Sequence, residues 1–468
     1  MKARWIVCLM VAALCVSLAA PAAAGQGDKI VRTRTGLDGW RTITSACALL
    51  GCTVLRALDV LPGQTQGSSL FLVRGLVYDV VNFTLSLLGI VAIEPDLVAT
   101  TEQDPWGASQ ASVALIDQLW DRTPMSYYGT TAWQPFLRQP AGDVVRVRDT
   151  HCQLQATGAA VVAVIDTGVD PDHPTLKPFL TGGYDFTRDR EGGDERADTD
   201  VNQASVSLID QYGVYTVNGA TIAAIDQASV SLIDDPAHAA FAHGTMVSGV
   251  VHLVAPTAMI MPLKAFGANG QGYTSDVLRA IYYAVVKGAK VLNMSFSRPA
   301  SSPELKRAID NATAKGLIAV ASAGNDSSAT LVYPAAYGNV MGVASTTNDD
   351  LRSSFSNYGA TLVWVAAPGE GVITTYPWAS FAAAWGTSFS TPFVSGAAAL
   401  LAGVQGSATN SQVAWAVSHA KPLTSDLGYG RLDLYQSVLA GRSLWPSGGT
   451  SPVPNSCQTS AVDWSPAP

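Results

Sequence analysis

The chain has 468 residues, 48% of them hydrophobic, with 42 glycines and a formal net charge of −8. That length exceeds one ordinary domain and predicts two or three modules, each with a core of its own. An acidic balance without a basic run excludes a nucleic-acid partner held through its phosphates.

Lys2 and Arg4 precede an apolar stretch, Ile6 to Ala20, and then Ala22-Ala23-Ala24. This is the pattern of a cleaved secretory signal over residues 1–24, shorter than a membrane span. It predicts a secreted or periplasmic protein with no membrane contact after cleavage, and no later apolar run is expected to cross a bilayer. Cys8 and Cys15 fall in the signal, leaving Cys47, Cys52, Cys152 and Cys457. In an oxidising compartment several pairings are open. Proximity favours Cys47–Cys52, which leaves Cys152–Cys457.

Residues 25–102 have a pattern of their own. Ile30-Val31 suits a strand, Trp40 to Leu50 a helix, and Thr53 to Leu58 and Leu70 to Val73 two strands around Pro62-Gly63. Val80 to Leu88 reads as a second helix and Ile90 to Ile93 as a strand before Glu94-Pro95-Asp96. The order βαββαβ is that of a ferredoxin-like split unit. Residues 103–143 read as a connector.

Residues 144–440 alternate strands and helices, which predicts a three-layer α/β fold with a mostly parallel sheet. Val161 to Ile165 is an unbroken apolar run, as a strand buried on both faces requires. Val247, Val250, Val251 and Val254 form one helical stripe that starts at His243. Val277, Ala280, Ile281, Ala284 and Val285 mark another helix, and Ser302-Pro303-Glu304 opens a third. Leu317 to Ala321 reads as a strand that delivers Asn325. Phe393, Ala397, Leu400, Leu401 and Val404 give the helix behind Ser388 its buried face. Residues 441–468, rich in Ser and Pro, read as a tail.

Three near-copies interrupt this pattern: Q110-A-S-V-A-L-I-D117, Q203-A-S-V-S-L-I-D210 and Q227-A-S-V-S-L-I-D234. Duplication explains them, and their alternation favours strands. Two copies define an insertion at about 200–236, with a two-residue hairpin signal at Val217-Asn218-Gly219-Ala220.

Asp166 ends V161-V-A-V-I-D-T-G168, His243 opens H243-G-T-M-V-S-G249, and Ser388 lies in G386-T-S-F-S-T-P392. A hydroxyl becomes a nucleophile at neutral pH when an imidazole takes its proton and a carboxylate orients that imidazole. Singly, these residues read as a turn cap, a structural histidine and a loop serine. An esterase elbow needs Gly where Ser390 stands. The order Asp, His, Ser and the three frames together resemble the subtilase serine peptidases.

The resemblance covers roughly Lys29 to Ala440. It implies a subtilisin-like fold and a secreted serine endopeptidase that cuts protein or peptide substrates through an acyl-enzyme. It also implies a zymogen in which residues 25–102 are an inhibitory propeptide. Asn325, in A321-S-A-G-N325, is by resemblance the oxyanion donor. Ala242 and Met246 stand where relatives usually have Gly and His, and Phe389-Ser390 replaces Met-Ala. The alternative is a catalytically silent relative that binds proteins.

By the same resemblance the pocket walls are Ser295-Phe296-Ser297 and Ser322-Ala323-Gly324, with Val332 near the floor. Ser297 and Val332 are bulkier than is usual there, which implies small or medium apolar side chains before the cut. No cofactor is expected. His173-Pro174-Thr175-Leu176 lacks the acid that calcium-binding relatives carry, and Asp189, Glu191, Asp194, Glu195, Asp198 and Asp200 read as a solvated acidic loop.

Overall fold

The computed structural model describes residues 28–76, 88–101, 121–198, 215–217, 220–224, 240–445, 458–459 and 462–463. Val161–Asp166 lies inside an eight-stranded sheet. Its spatial order is Arg190–Glu191, Tyr184–Asp185, Met259–Lys264, Val161–Asp166, Val291–Met294, Ile318–Ser322, Met341–Thr346, Val365–Pro368. All neighbours pair in parallel except the outermost, Arg190–Glu191.

The unbroken apolar run has a simple cause. Val162 and Val164 enter the core beneath the helices His243–Val254 and Thr387–Val404, while Ala163 and Ile165 enter the core beneath Thr274–Val286 and Pro303–Ala314. Alternate residues face opposite layers, so neither set can be polar. Ser302 accepts the Leu305 N–H at 3.0 Å ahead of Pro303, a cap worth about 1 kcal/mol. The sheet order reverses at Val161–Asp166, whose neighbours come from later segments on both sides. Such a reversal opens a crevice at the carboxyl ends of the strands.

One expectation about membranes needs correcting. The helix Thr387–Val404 is long and apolar enough to cross a bilayer, but it is packed inside the protein and makes much of one core.

In the N-terminal part, Lys29–Thr33, Thr53–Ala57, Leu70–Arg74 and Ile90–Pro95 form an antiparallel sheet in which the third and fourth strands flank the first. That is the ferredoxin-like order. The helix Gly39–Leu50 covers one face, and the Cys47–Cys52 disulfide pins its end. The second expected helix lies, apart from Leu88, outside the described residues. Val31, Phe71 and Val73 face the domain's own helix, whereas Ile30, Leu70 and Leu72 join the core under Thr274–Val286. This small sheet is therefore covered on one side by the large domain.

Two segments are more ordered than their composition suggests. Pro124–Tyr127 and Thr130–Trp133 form a hairpin followed by short helices, within the stretch expected as a connector. Tyr127 is fully buried, and its hydroxyl donates to the Leu253 carbonyl at 2.7 Å. In the expected tail, Gln458–Thr459 and Val462–Asp463 pair with each other and then with Pro124–Tyr127. Cys152 is disulfide-bonded, and Cys457, its expected partner, lies outside the described residues. So do the three repeat copies. Between the last two, Val217 pairs with Ala220 as the hairpin signal predicts, and the second strand continues onto Ser380–Ala384.

Three histidines are buried near one another. His151 Nε2 meets the Val254 carbonyl at 2.8 Å, His173 Nε2 meets Ser380 at 3.0 Å, and His252 is flanked by Tyr127 and Phe179. Burial pushes His151 down to about 4 and His252 down to about 3, and lowers His173 as well. The unfolded chain takes up these protons near the ordinary histidine value, about 6.5, and the folded chain does not. The neutral rings therefore contribute fully above that value, and the contribution is lost as pH falls. His252→Leu should flatten the decline of Tm between about pH 6.5 and 4. Thermal unfolding across that range checks this, and an unchanged slope would refute it.

Candidate active site

Asp166 closes the central strand with its side chain fully buried. Its Oδ1 accepts the Thr167 N–H at 2.7 Å and meets His243 Nδ1 at 2.7 Å. His243 is the first residue of its helix, entered through Ala242 at φ 74°. That left-handed backbone favours Gly, so Ala242 is held there under strain. Gly244 is required for the approach, because a Cβ there would lie 1.9 Å from the Gly168 carbonyl oxygen.

Ser388 is the second residue of the Thr387–Val404 helix. Pro392, inside that helix, has no N–H to give the Ser388 carbonyl. Ser295 supplies the missing donor, its hydroxyl reaching that carbonyl at 2.9 Å. Asn293 Nδ2 donates to Ser295 Oγ at 3.0 Å, and Ser395 Oγ to Asn293 Oδ1 at 2.8 Å. This buried chain anchors the turn that carries Ser388. The Ser388 hydroxyl itself donates to the Ser295 carbonyl at 3.3 Å. His243 Nε2 is buried with no protein partner. The Asp166–His243 bond is thus made and the His243–Ser388 bond is not, although the rings of His243 and Phe389 are in contact at 5.4 Å.

Asn325 follows the strand Ile318–Ser322. Its Oδ1 accepts from Thr387 N–H at 3.0 Å and from Thr387 Oγ1 at 2.9 Å. A backbone N–H can only donate, so the amide orientation is set and Nδ2 is left buried without a protein acceptor. A Cβ on Gly386, at φ 136°, would lie 3.2 Å from that Nδ2. An unspent donor beside a hydroxyl at a helix start can receive negative charge on an oxygen.

The residues expected to wall the pocket have mostly buried side chains. Phe296 packs its ring on Phe266 at 5.0 Å, and the side chains of Ser295, Ser322 and Ala323 are buried. Ser297 is half-buried, and Val332 Cγ2 would lie 3.5 Å from a Cβ on Gly324. Between Phe296–Ser297 and a second edge, Gln271–Tyr273, runs the chain's own strand Val98–Thr101, antiparallel to both. Thr101 sits opposite Phe296, Thr100 opposite Ser297, and Ala99 opposite Gly272. Sequence reasoning missed the Gln271–Tyr273 edge, since three residues show no period.

The acidic stretch is solvated only in part: Asp189 and Glu191 are exposed, Asp194 and Asp198 half-buried, Glu195 buried, and Asp200 lies outside the described residues. Asp198 is bonded to Lys264 at 2.6 Å and paired with Arg188, Asp189 is paired with Arg279, and Arg196 holds Asp170, Asp172 and Asp194. Lys264 and Arg279 come from distant segments, which is why the pairing was not readable. Among the described residues no cluster of three acids, histidines or cysteines is arranged to hold a metal.

Residues 157–436, more than half of the chain, match the subtilase family. Subtilisin BL of Lederbergia lenta is 37% identical over 206 residues, 42% of this chain and 74% of that protein. Thermitase of Thermoactinomyces vulgaris is 33% identical over 283 residues, 60% of this chain and 88% of its own length. Among solved structures, fervidolysin of Fervidobacterium pennivorans, described as a keratinolytic enzyme related to subtilisin, superposes with a TM-score of 0.62 at 21% identity. That match covers 89% of this chain and 61% of fervidolysin, and it speaks to the fold alone. The chain belongs to the subtilase family. It is a serine-type endopeptidase with the subtilisin-like α/β fold.

Asn325→Ala should lower kcat by about 10²–10³-fold with little change in KM, the magnitude known for loss of an oxyanion asparagine in a subtilisin. Steady-state hydrolysis of a chromogenic peptide measures it, and an unchanged kcat would remove Asn325 from the oxyanion role.

Proposed function

We propose that the protein is an exported zymogen whose Asp166–His243–Ser388 triad hydrolyses peptide bonds through an acyl-enzyme. The observation that carries this reading is the 2.7 Å bond from His243 Nδ1 to Asp166 Oδ1. It fixes the proton on Nδ1 and leaves the lone pair on Nε2. Nε2 takes the Ser388 proton once that hydroxyl turns from the Ser295 carbonyl. Ser388 Oγ then attacks the scissile carbonyl carbon, and Asn325 Nδ2 receives the charge on its oxygen. His243 passes the proton to the departing amine, and a water repeats the sequence to free the acid. Protein groups alone carry these steps. The silent-scaffold alternative is not favoured, since all four groups are present.

The chain's own N-terminal domain fits an inhibitor. Glu94 accepts Ser302 Oγ–H at 2.5 Å and the Glu304 N–H at 3.3 Å, while Asp96 accepts Ser275 N–H at 2.8 Å and Oγ–H at 2.6 Å. Both carboxyl groups thereby sit at helix N-termini, where the helix dipole favours them. Arg32 grips Glu304 with a fork of bonds. Two residues past Asp96, Val98–Thr101 occupies both edges that an extended substrate would add to. These contacts support residues 25–102 as a propeptide, cut shortly after Thr101. The signal pattern and the oxidised cysteines support export. No nucleic acid and, once the signal is removed, no membrane is part of this reading.

Substrate choice follows from Ser297 and Val332, which shorten the slot, and from the lack of an acid among the pocket residues. A buried basic side chain would stand unpaired there.

Ser388→Ala should cut turnover by about 10⁶-fold, again a subtilisin magnitude. It should also abolish labelling by a serine-directed phosphonate and leave the chain unprocessed. Labelling of the Ala variant would overturn the nucleophile assignment. Peptide-library profiling should show cleavage mainly after Ala, Val or Leu. A profile dominated by Phe, Tyr, Lys or Arg would sink the pocket reading.

A further inference from the structure

Glu195 is 1% exposed and takes no part in the chemistry above. Its two carboxyl oxygens meet two threonines, each within two residues of a triad member. Oε2 lies 3.1 Å from the hydroxyl of Thr167, the residue after Asp166. Oε1 meets the hydroxyl of Thr245, two residues after His243. Thr167 Oγ1 also lies 3.3 Å from Asp166 Oδ1 and accepts the Gly244 N–H at 2.9 Å. Thr245 Oγ1 accepts the Asp170 N–H at 2.7 Å, so its own proton points to Glu195.

One hydroxyl carries one proton, yet Thr167 faces two acidic acceptors. With Glu195 ionised, the shorter contact draws that proton away from Asp166. With Glu195 neutral, its O–H donates to Thr167 Oγ1 and Thr167 donates to Asp166 Oδ1, so each donor in the chain has an acceptor. The charged neighbours favour the second arrangement. Asp166 and Asp170 oppose another negative charge. Lys264 is already bonded to Asp198 at 2.6 Å and to the Thr167 and Phe266 carbonyls at 2.6 and 2.8 Å. Arg196 is shared among Asp170, Asp172 and Asp194. Burial, countered in part by the Thr245 bond and Lys264 and reinforced by Asp170 and Asp166, holds the Glu195 carboxyl well above its usual range.

We propose that Glu195 is a positioning residue for peptide hydrolysis: as a neutral acid it commits the Thr167 hydroxyl proton to Asp166 and so steadies the carboxylate that orients His243. This rests on the triad reading above. Glu195→Gln keeps a donor facing Thr167, and Glu195→Ala removes it. The Gln variant should retain kcat within about threefold, and Thr167→Val, which takes the hydroxyl donor from Asp166, should lose about 10- to 100-fold in kcat at unchanged KM, the range for a lost hydrogen bond to an ionised group. Because Asp166 loses a donor, the imidazolium of His243 is better stabilised in the Val variant. The acid limb of its kcat/KM profile should therefore move to higher pH. Glu195→Ala leaves Asp166 as the only acidic acceptor for Thr167 and should cost less than Thr167→Val, and the two combined should fall no further than Thr167→Val alone.

A Gln variant as impaired as Thr167→Val, an unshifted acid limb in Thr167→Val, or additive losses would each overturn the relay. If the Ala variant does not fold, as judged by near-UV dichroism, the near-isosteric Gln and Val variants still decide the matter. Phosphonate labelling of the wild type separates the two readings. An unlabelled, inactive wild type defeats the triad reading and the relay together, whereas an active wild type indifferent to Glu195 defeats the relay alone.

Discussion

A carboxylate taken wholly out of water has to be met by donors or give up its charge. Asp166 Oδ1 is met by the Thr167 N–H and by His243 Nδ1, while Oδ2 is buried without a protein partner. Satisfying it dictates much around it. The helix that begins at His243 must run in against Gly168, which leaves no room for a side chain at Gly244. The strand that carries Asp166 must end where the sheet order reverses, so that the histidine can arrive from outside the sheet.

Ser388, the proposed nucleophile, is held by the opposite device, a vacancy in a helix. Pro392 withholds one N–H, and the Ser295 hydroxyl fills the place. A segment expected to wall the pocket thus also anchors the turn of Ser388. Because Ser295 accepts from Ser388 through its own carbonyl, one residue holds both ends of Ser388. Asn325 adds a third tie, spending its oxygen on Thr387 and keeping its nitrogen unspent.

Long periodic signals were readable: the Val161–Ile165 run, the valine stripe behind His243, and the βαββ pattern from Lys29 to Arg74. Their period is set by the burial they serve. Asp166, His243, Ser388 and Asn325 could be singled out because their frames combine a chemical side chain with glycines needed for close approach. Short pieces were not. Gln271–Tyr273, Val98–Thr101 and the two-residue strands after Cys457 carry no period, and their pairing is decided by distant partners. Nor was the neutralisation of the acidic stretch, since Lys264 and Arg279 lie far along the chain. Glu195 looked like one more solvated acid, and only its burial between Thr167 and Thr245 distinguishes it.

The small N-terminal sheet is apolar on both faces, and its second face is roofed by another domain. Ile30, Leu70 and Leu72 share a core with the Thr274–Val286 helix. Were the two parts to separate, a whole greasy sheet face would meet water on the smaller partner, while the larger keeps nearly all of its own interior. The loss is lopsided. The shared core thus steadies the smaller part far more than the larger, as a lid depends on its box.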